Sequence, residues 1–80
     1  MKTIILNPSA ARSLDKLPDF AREQINAAIN AYAMQGTGDT KAMVGTPTVR
    51  LRSGDLRVIF DETAVSITIL ALGNRREIYR

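Results

Sequence analysis

Alternating apolar and polar residues in the second half of the chain predict two consecutive β-hairpins. Val49 and Leu51 alternate with arginines, and the alternation resumes after a turn at Ser53-Gly54-Asp55. A second turn is predicted at residues 61–64, ahead of another apolar strand. Because a turn with an even number of residues pairs odd with even positions, parity assigns one apolar face: Val49, Leu51, Leu56, Val58, Phe60, Val65, Ile67, Ile69 and Ala71.

The same parity gathers basic residues on the opposite face of the predicted sheet. Arg50, Arg52 and Arg57 share that face, and Arg75 and Arg76 follow near the C-terminus. These five arginines make up a large part of the 11 lysines and arginines in the chain. The sequence therefore predicts a sheet with one core face and one basic face.

The first half of the chain predicts a strand and two helices. Residues 2–6 form a short isoleucine-rich strand, and Asn7 caps a helix that has Pro8 at its first position and ends near residue 16. A second helix is predicted from residue 19 to about 34, because its apolar residues recur on one face: Ala21, Ile25, Ala28, Ile29 and Tyr32. Phe20 and Tyr32 are predicted to lie in the core, residues 35–40 in a loop and residues 43–47 in an irregular segment.

This order of elements predicts an α+β fold in a single domain over residues 1–80. One strand precedes a two-helix hairpin, and three antiparallel strands follow. Both helices are expected on the apolar face of the sheet, since each element must bury its apolar side against another.

The composition removes several kinds of site. Cysteine and histidine are both absent, so we expect no disulfide, no thiolate chemistry, no usual metal-ligand set and no histidine acid–base pair. The five glycines form neither a phosphate-binding loop nor a dinucleotide-binding fingerprint. The expectation is a protein with no metal and no cofactor.

Charge and hydropathy bear on the partners and the location. The formal net charge of +3 favours an anionic partner. The N-terminal apolar run of Thr3 to Leu6 is too short for a signal peptide or a membrane span. A cytoplasmic protein without membrane contact is expected.

The arginine face has two interpretations. It can be a solvated face that charge keeps soluble, or a phosphate-binding surface, because guanidinium groups match phosphate oxygens and stay charged. Asp55 is the only acidic neighbour predicted there, whereas solvated faces usually mix both signs. Tyr79 can clamp the C-terminal segment to the core or stack on a base, and Lys41 has no local argument for function.

Two motifs together resemble a known family. Residues 50–60, RLRSGDLRVIF, precede an apolar strand and then the segment 72–80, LGNRREIYR. The pair resembles the RelE/ParE superfamily of toxins from bacterial type II toxin–antitoxin modules, and the ending is more similar to RelE than to ParE. The predicted order of elements is similar to that superfamily over the whole chain.

The resemblance implies a metal-independent, ribosome-dependent mRNA endonuclease, or mRNA interferase, that inhibits translation. It implies three catalytic residues, with Arg57 and Arg75 stabilising transition-state charge and Tyr79 stacking on a base or transferring a proton. Glu77 and Asp55 are the alternative proton carriers. RNA phosphates are expected at three further residues, Arg50, Arg52 and Arg76. The implied partners are the ribosome, mRNA and a cognate antitoxin that covers this surface. Operator DNA is expected to be bound only through the antitoxin.

Three other functions remain open on the same residues. A ParE-like DNA gyrase inhibitor uses this fold without chemistry of its own. A decayed toxin acting only as antitoxin partner and corepressor is favoured by Asn74, where close relatives often have histidine, and by Thr48, where the best-studied branch has a basic residue. An undirected nucleic-acid binder predicts a steep salt dependence and no need for ribosomes.

Overall fold

The computed structural model describes residues 1–74, in which two helices lie on one face of a five-stranded mixed sheet. The predicted α+β class is confirmed. The strands lie in the order β1-β5-β4-β3-β2, with β1 parallel to β5 and the other pairs antiparallel. The elements are β1 (Thr3–Leu6), α1 (Pro8–Lys16), α2 (Asp19–Gln35), β2 (Asp39–Ala42), β3 (Thr48–Ser53), β4 (Leu56–Glu62) and β5 (Ser66–Asn74).

Strand β2 is the element that the sequence pattern did not predict. Its four residues, DTKA, are all exposed and show no apolar alternation. They form a strand because they pair along the edge of β3, with Asp39 opposite Arg52 and Ala42 opposite Val49. The predicted loop at residues 35–40 is therefore wrong at its last two positions, and the sheet has one strand more than expected.

Both helices begin and end close to the predicted positions. The Asn7 side chain accepts a hydrogen bond from the backbone N–H of Ala10 at 2.8 Å, and Pro8 occupies the first turn of α1. Helix α2 ends at Gly36, whose φ of 71° is readily adopted by glycine, and whose N–H donates to the Tyr32 carbonyl. None of the helices in residues 1–74 is long and apolar enough to cross a membrane.

The core lies between α2 and the central strands. Its largest fully buried side chains are Phe60, Ile25, Leu51, Ile67, Ile69 and Val58. Tyr32 is half-buried and packs its ring 5.2 Å from that of Phe60, at an interplanar angle of 54°. The core prediction for Phe20 is wrong, because Phe20 stands on the outer side of α2 and is 72% exposed.

A β-bulge in β5 overturns part of the predicted parity. Phe60 pairs with Ile69, but the preceding residue Ile59 pairs with Ala71, so β5 carries one extra residue at this point. The bulge brings Leu72 rather than Ala71 into the core. Val65 is 73% exposed, since β4 continues through Glu62 and the turn moves to the residues just before Ser66.

A polar network ties the N-terminus to the sheet and to α2. The Tyr32 hydroxyl donates to Glu62 Oε1 at 2.8 Å, and Lys2 Nζ donates to Glu62 Oε2 at 2.6 Å and to the Thr63 carbonyl at 2.7 Å. The hydrogen bond from Lys2 lowers the pKa of Glu62, while burial and then the bond to Glu62 raise the pKa of Tyr32 above 10. The lowered pKa opposes protonation of Glu62 and the raised pKa opposes deprotonation of Tyr32, and either change would weaken the network.

This network predicts stability losses at both ends of the pH range. Because the folded-state pKa of Glu62 is depressed, its contribution is present above the pKa of the unfolded chain and is lost as pH falls through the folded value. Because the folded-state pKa of Tyr32 is raised, its contribution is present below pH 10 and is lost as pH rises further. In urea titrations, Glu62→Gln should be about 1 kcal/mol less stable than wild type at pH 7.

The acid limb distinguishes Glu62 from other carboxylates. Between pH 5 and pH 3 the wild-type protein should lose more stability than Glu62→Gln, since the variant has no charge to lose there. Glu23→Gln, an exposed position on α2, is the matched control and should follow wild type. Equal acid losses in wild type and Glu62→Gln would contradict the assigned role.

Candidate nucleic-acid interface

The sheet face opposite the helices carries two rows of charged side chains on neighbouring strands. Residues alternate in direction along a strand, so Arg50 and Arg52 project to the side opposite the buried Val49 and Leu51. The register across β2, β3 and β4 aligns one row as Asp39, Arg52 and Arg57 and a second as Lys41 opposite Arg50. We call the four cations the basic face: Lys41, Arg50, Arg52 and Arg57.

Arg52 and Arg57 are directly opposite each other on β3 and β4. Like charges at such a position repel each other, which weakens a sheet pair unless other groups compensate the charge. A phosphate between the two guanidinium groups would reverse the sign of the interaction, since each group offers donors in a fork that fits its oxygens. The parity of the sequence correctly placed both residues on this face, and the strand register places them opposite each other.

The turn between β3 and β4 holds the Arg57 side chain. Its Nη1 donates to the Gly54 carbonyl at 2.8 Å and to the Leu56 carbonyl at 3.0 Å. Gly54 takes φ +60° at this turn, a conformation that glycine adopts readily, and Gln24 Nε2 on α2 donates to the adjacent Ser53 carbonyl at 2.8 Å. The guanidinium is thus anchored through one nitrogen, and within residues 1–74 its Nε and Nη2 form no hydrogen bond.

Among residues 1–74, the acidic side chain that pairs with an arginine of this face is Asp39 and not the predicted Asp55. Arg52 Nε donates to Asp39 Oδ2 at 2.6 Å, with both side chains more than half exposed. Asp55 instead lines a separate cleft beside Pro18, Phe20 and Leu56. The correction follows from β2, because the sequence pattern gave no reason to pair residue 39 with residue 52.

Lys41 is the residue that sequence reasoning missed. The predicted loop became β2, which places Lys41 directly opposite Arg50. Together with Arg52 and Arg57 they surround an open cleft of about 220 Å³, completed by Asp39, Thr40 and Leu51. The signal available in the sequence was a lysine in a polar segment, and only strand pairing gives such a residue a position.

The basic face ends one row further along the sheet. Thr48 pairs with Asp61, and the Thr48 hydroxyl donates to Asp61 Oδ1 at 2.7 Å. This neutral–acidic pair lies two residues before Arg50 along β3, so the basic face, as far as residues 1–74 define it, lies on the side of the sheet near the β3–β4 turn. No group of three or more acidic, histidine or cysteine side chains in residues 1–74 is placed to hold a metal ion.

The fold that carries this face occurs in known structures. No family model and no curated protein matches the sequence. The chain is similar to one in the RelB–RelE antitoxin–toxin complex of Methanococcus jannaschii, with a TM-score of 0.76, 20% identity and 94% of each chain covered. It is also similar to a chain in the archaeal RelE–RelB complex of Pyrococcus horikoshii OT3, with a TM-score of 0.78 and 22% identity. That alignment covers 92% of this chain and 94% of the other. The chain has the RelE fold.

The intact Escherichia coli RelBE toxin–antitoxin complex contains a further chain with the RelE fold, at a TM-score of 0.74 and 18% identity, covering 92% of this chain and 96% of that one. The alignments span nearly all of this chain and of its neighbours. The RelE fold therefore includes the helices and the sheet described above, although the sequences differ at most positions.

The remaining predicted site residues follow β5. Within the described residues this strand reaches Asn74, which pairs with Leu56, the residue before Arg57. Arg75, Arg76 and Tyr79 lie outside the described residues 1–74, and so does Glu77. Their assignment to the site stays a prediction.

Proposed function

We propose that this protein is the toxin of a type II toxin–antitoxin module and a RelE-like, ribosome-dependent mRNA endonuclease. The observation that carries the proposal is the opposed pair of Arg52 and Arg57 on the sheet face opposite the helices of a RelE fold. Two arginines directly opposite each other fit a surface that binds phosphate. The structural neighbours are toxins in complexes with RelB antitoxins.

Cleavage of RNA by its own 2′-oxygen requires three functions of the site. The 2′-oxygen of one ribose attacks the adjacent phosphorus while the 5′-oxygen leaves, so a base must take one proton, an acid must supply another, and charge on phosphorus must be stabilised. Arginine serves the last need well and the first badly, since its pKa lies above about 12. We assign Arg57 and Arg75 to the charge, and Arg50, Arg52 and Arg76 to phosphate positioning.

Tyr79 is the proposed proton carrier or base-stacking residue. A phenol can take up and release a proton, and the positive charge of arginines in the proposed site would favour its phenolate form. No metal is required by this scheme, because the arginines supply the positive charge. Asp55 is a weaker candidate for the proton role than the sequence implied, since it lines a different cleft from the arginines.

The proposed partner is an antitoxin with an acidic, partly helical segment that covers Arg50, Arg52 and Arg57. Opposite charge on that segment would remove the repulsion between the paired arginines, so binding and inhibition would share one surface. Operator DNA would be bound only through the antitoxin. The cytoplasm is the proposed location, because ribosomes and mRNA meet there.

A reconstituted translation system tests the proposed function. Primer extension on an mRNA should show cuts within codons when purified protein and ribosomes are both present, and none when ribosomes are left out. Cuts that appear without ribosomes would instead indicate an undirected nuclease. The antitoxin, added before the toxin, should abolish cleavage.

A decayed toxin is the second candidate, favoured by Thr48. Its hydroxyl is bonded to Asp61, which ends the basic face at Arg50. That candidate predicts tight antitoxin binding and no mRNA cuts under any condition. A protein that cuts nothing but inhibits DNA supercoiling would establish the gyrase-inhibitor alternative.

A further inference from the structure

The position of Lys41 is set by a hairpin whose loop is closed by hydrogen bonds. The Met43 N–H donates to the Thr48 carbonyl at 3.0 Å, which extends the β2–β3 ladder by one step. In the loop, the Thr46 N–H and hydroxyl both donate to the Met43 carbonyl, at 3.2 and 3.1 Å. Lys41 is thereby held in register opposite Arg50.

The cations of the basic face differ in what they already bind. Arg52 is paired with Asp39, and Arg57 donates to the carbonyls of Gly54 and Leu56. Within residues 1–74, Lys41 forms neither an ion pair nor a side-chain hydrogen bond. Because its cross-strand neighbour is also a cation, an anion bound beside the pair would stabilise both residues.

Two clefts meet at Lys41 and Arg50. One contains Arg52 and Arg57 and was described above. The other, of about 310 Å³, lies on the far side of the pair and is completed by Ala42, Met43 and Val44. Val44 is fully exposed and Met43 is 38% exposed, so the second cleft has apolar walls that can face a base or a ribose.

We infer that Lys41 and Arg50 hold a second phosphate of a single-stranded RNA, next to the phosphate held by Arg52 and Arg57, with the adjoining nucleotide in the cleft of Met43 and Val44. The two rows are two residues apart, which is about 6.6 to 6.8 Å along a strand. One nucleotide of an extended strand can span that distance. The inference rests on the proposed function, from which it takes single-stranded RNA as the ligand.

Short oligonucleotides test the second phosphate directly. The probes are 2′-O-methyl uridine dinucleotide and trinucleotide without terminal phosphates, which present one and two phosphates and cannot be cleaved through the 2′-oxygen. Chemical-shift titrations at several salt concentrations give the affinity and its salt dependence. For the wild-type protein, the plot of log affinity against log salt concentration should be steeper by about 0.7 for the trinucleotide than for the dinucleotide. At 0.1 M salt the trinucleotide should therefore bind about fivefold more tightly.

Variants test whether Lys41 is responsible for the higher affinity of the trinucleotide. Lys41→Gln should lose most of the trinucleotide's advantage and keep only the part due to Arg50, and Lys41→Arg should keep all of it. Lys16→Gln, an exposed lysine of α1 in the helix layer, is the matched control and should behave as wild type. Thermal unfolding of Lys41→Gln should occur no lower than that of wild type, because the substitution removes a like-charged pair.

The outcomes separate this inference from the proposed function. A wild-type protein that gains nothing from the second phosphate, or a Lys41→Gln variant that gains as much as wild type, would overturn the inference even if ribosome-dependent cleavage were observed. The inference is supported if the trinucleotide's advantage over the dinucleotide falls in Lys41→Gln and is unchanged in Lys41→Arg and Lys16→Gln. That result, combined with no mRNA cleavage, would overturn only the assignment as an endonuclease.

Discussion

Replacing Arg57 with alanine is expected to slow ribosome-dependent mRNA cleavage by about 10²- to 10³-fold, the usual cost of removing one group that stabilises transition-state charge. The effect should be large because the guanidinium is anchored by the carbonyls of Gly54 and Leu56 and needs no reorganisation when charge develops. Single-turnover cleavage on programmed ribosomes, followed by primer extension, measures the rate constant. The rate constant of Arg57→Lys should lie between those of wild type and Arg57→Ala, since lysine keeps the charge and loses the planar fork of donors.

Two controls make the Arg57 result specific. Arg12→Ala removes a cation from the exposed side of α1 and should leave the rate unchanged. The stability of Arg57→Ala should be close to that of wild type, because relief of the repulsion with Arg52 offsets the loss of the two carbonyl bonds. Cleavage by Arg57→Ala at the wild-type rate would rule out its role in charge stabilisation.

Replacing Phe60 with alanine is expected to lower the free energy of unfolding by about 3 to 5 kcal/mol. Phe60 is 1% exposed and packs against Tyr32 in the middle of the core. A domain of this size has a total stability near the lower end of the range of about 5 to 15 kcal/mol, so the variant should keep no more than about 2 kcal/mol and be partly unfolded at 37 °C. Urea titration followed by far-UV circular dichroism measures the change.

Val44→Ala is the matched control for Phe60. Val44 is apolar but fully exposed on the β2–β3 loop, so its truncation should change stability by no more than about 0.5 kcal/mol. A loss of under 1 kcal/mol in Phe60→Ala would show that the core between α2 and the sheet packs differently from the structure described here.

The two effects separate stability from function on opposite faces of one sheet. The face toward the helices holds the apolar residues that stabilise the fold, and the other face concentrates cations that repel one another. Removing a cation of the basic face should cost function and little stability. Removing Phe60 should cost stability first, and activity only through the unfolded fraction.

The fold was predictable where the sequence has a strong period. Alternation in β3 and β4 assigned the buried Leu51, Val58 and Phe60 and put Arg50 on the other side. Helical spacing and the Asn7-Pro8 cap located α1 and α2, because caps and amphipathic faces are local features. Two motifs were enough to indicate the RelE fold, with which the structural comparisons agree.

What escaped prediction depends on contacts between distant residues. Strand β2 has no apolar alternation and exists because its backbone pairs with β3, so Lys41 and Asp39 acquired their neighbours only in the folded chain. The bulge at residue 70 likewise reflects how β5 fits against β4, and it exchanged Ala71 for Leu72 in the core.

The sequence by itself determined which residue types are available and which side of each regular element is apolar. It established the α+β class, the three arginines on one face and the absence of histidine and cysteine, because these follow from composition and from periods of 2 and 3.6 residues. Only the tertiary structure decided which charges are neighbours: Asp39 beside Arg52, Arg57 opposite Arg52, and Lys41 opposite Arg50. Strand pairing sets those distances, and no local period encodes the register of an exposed edge strand.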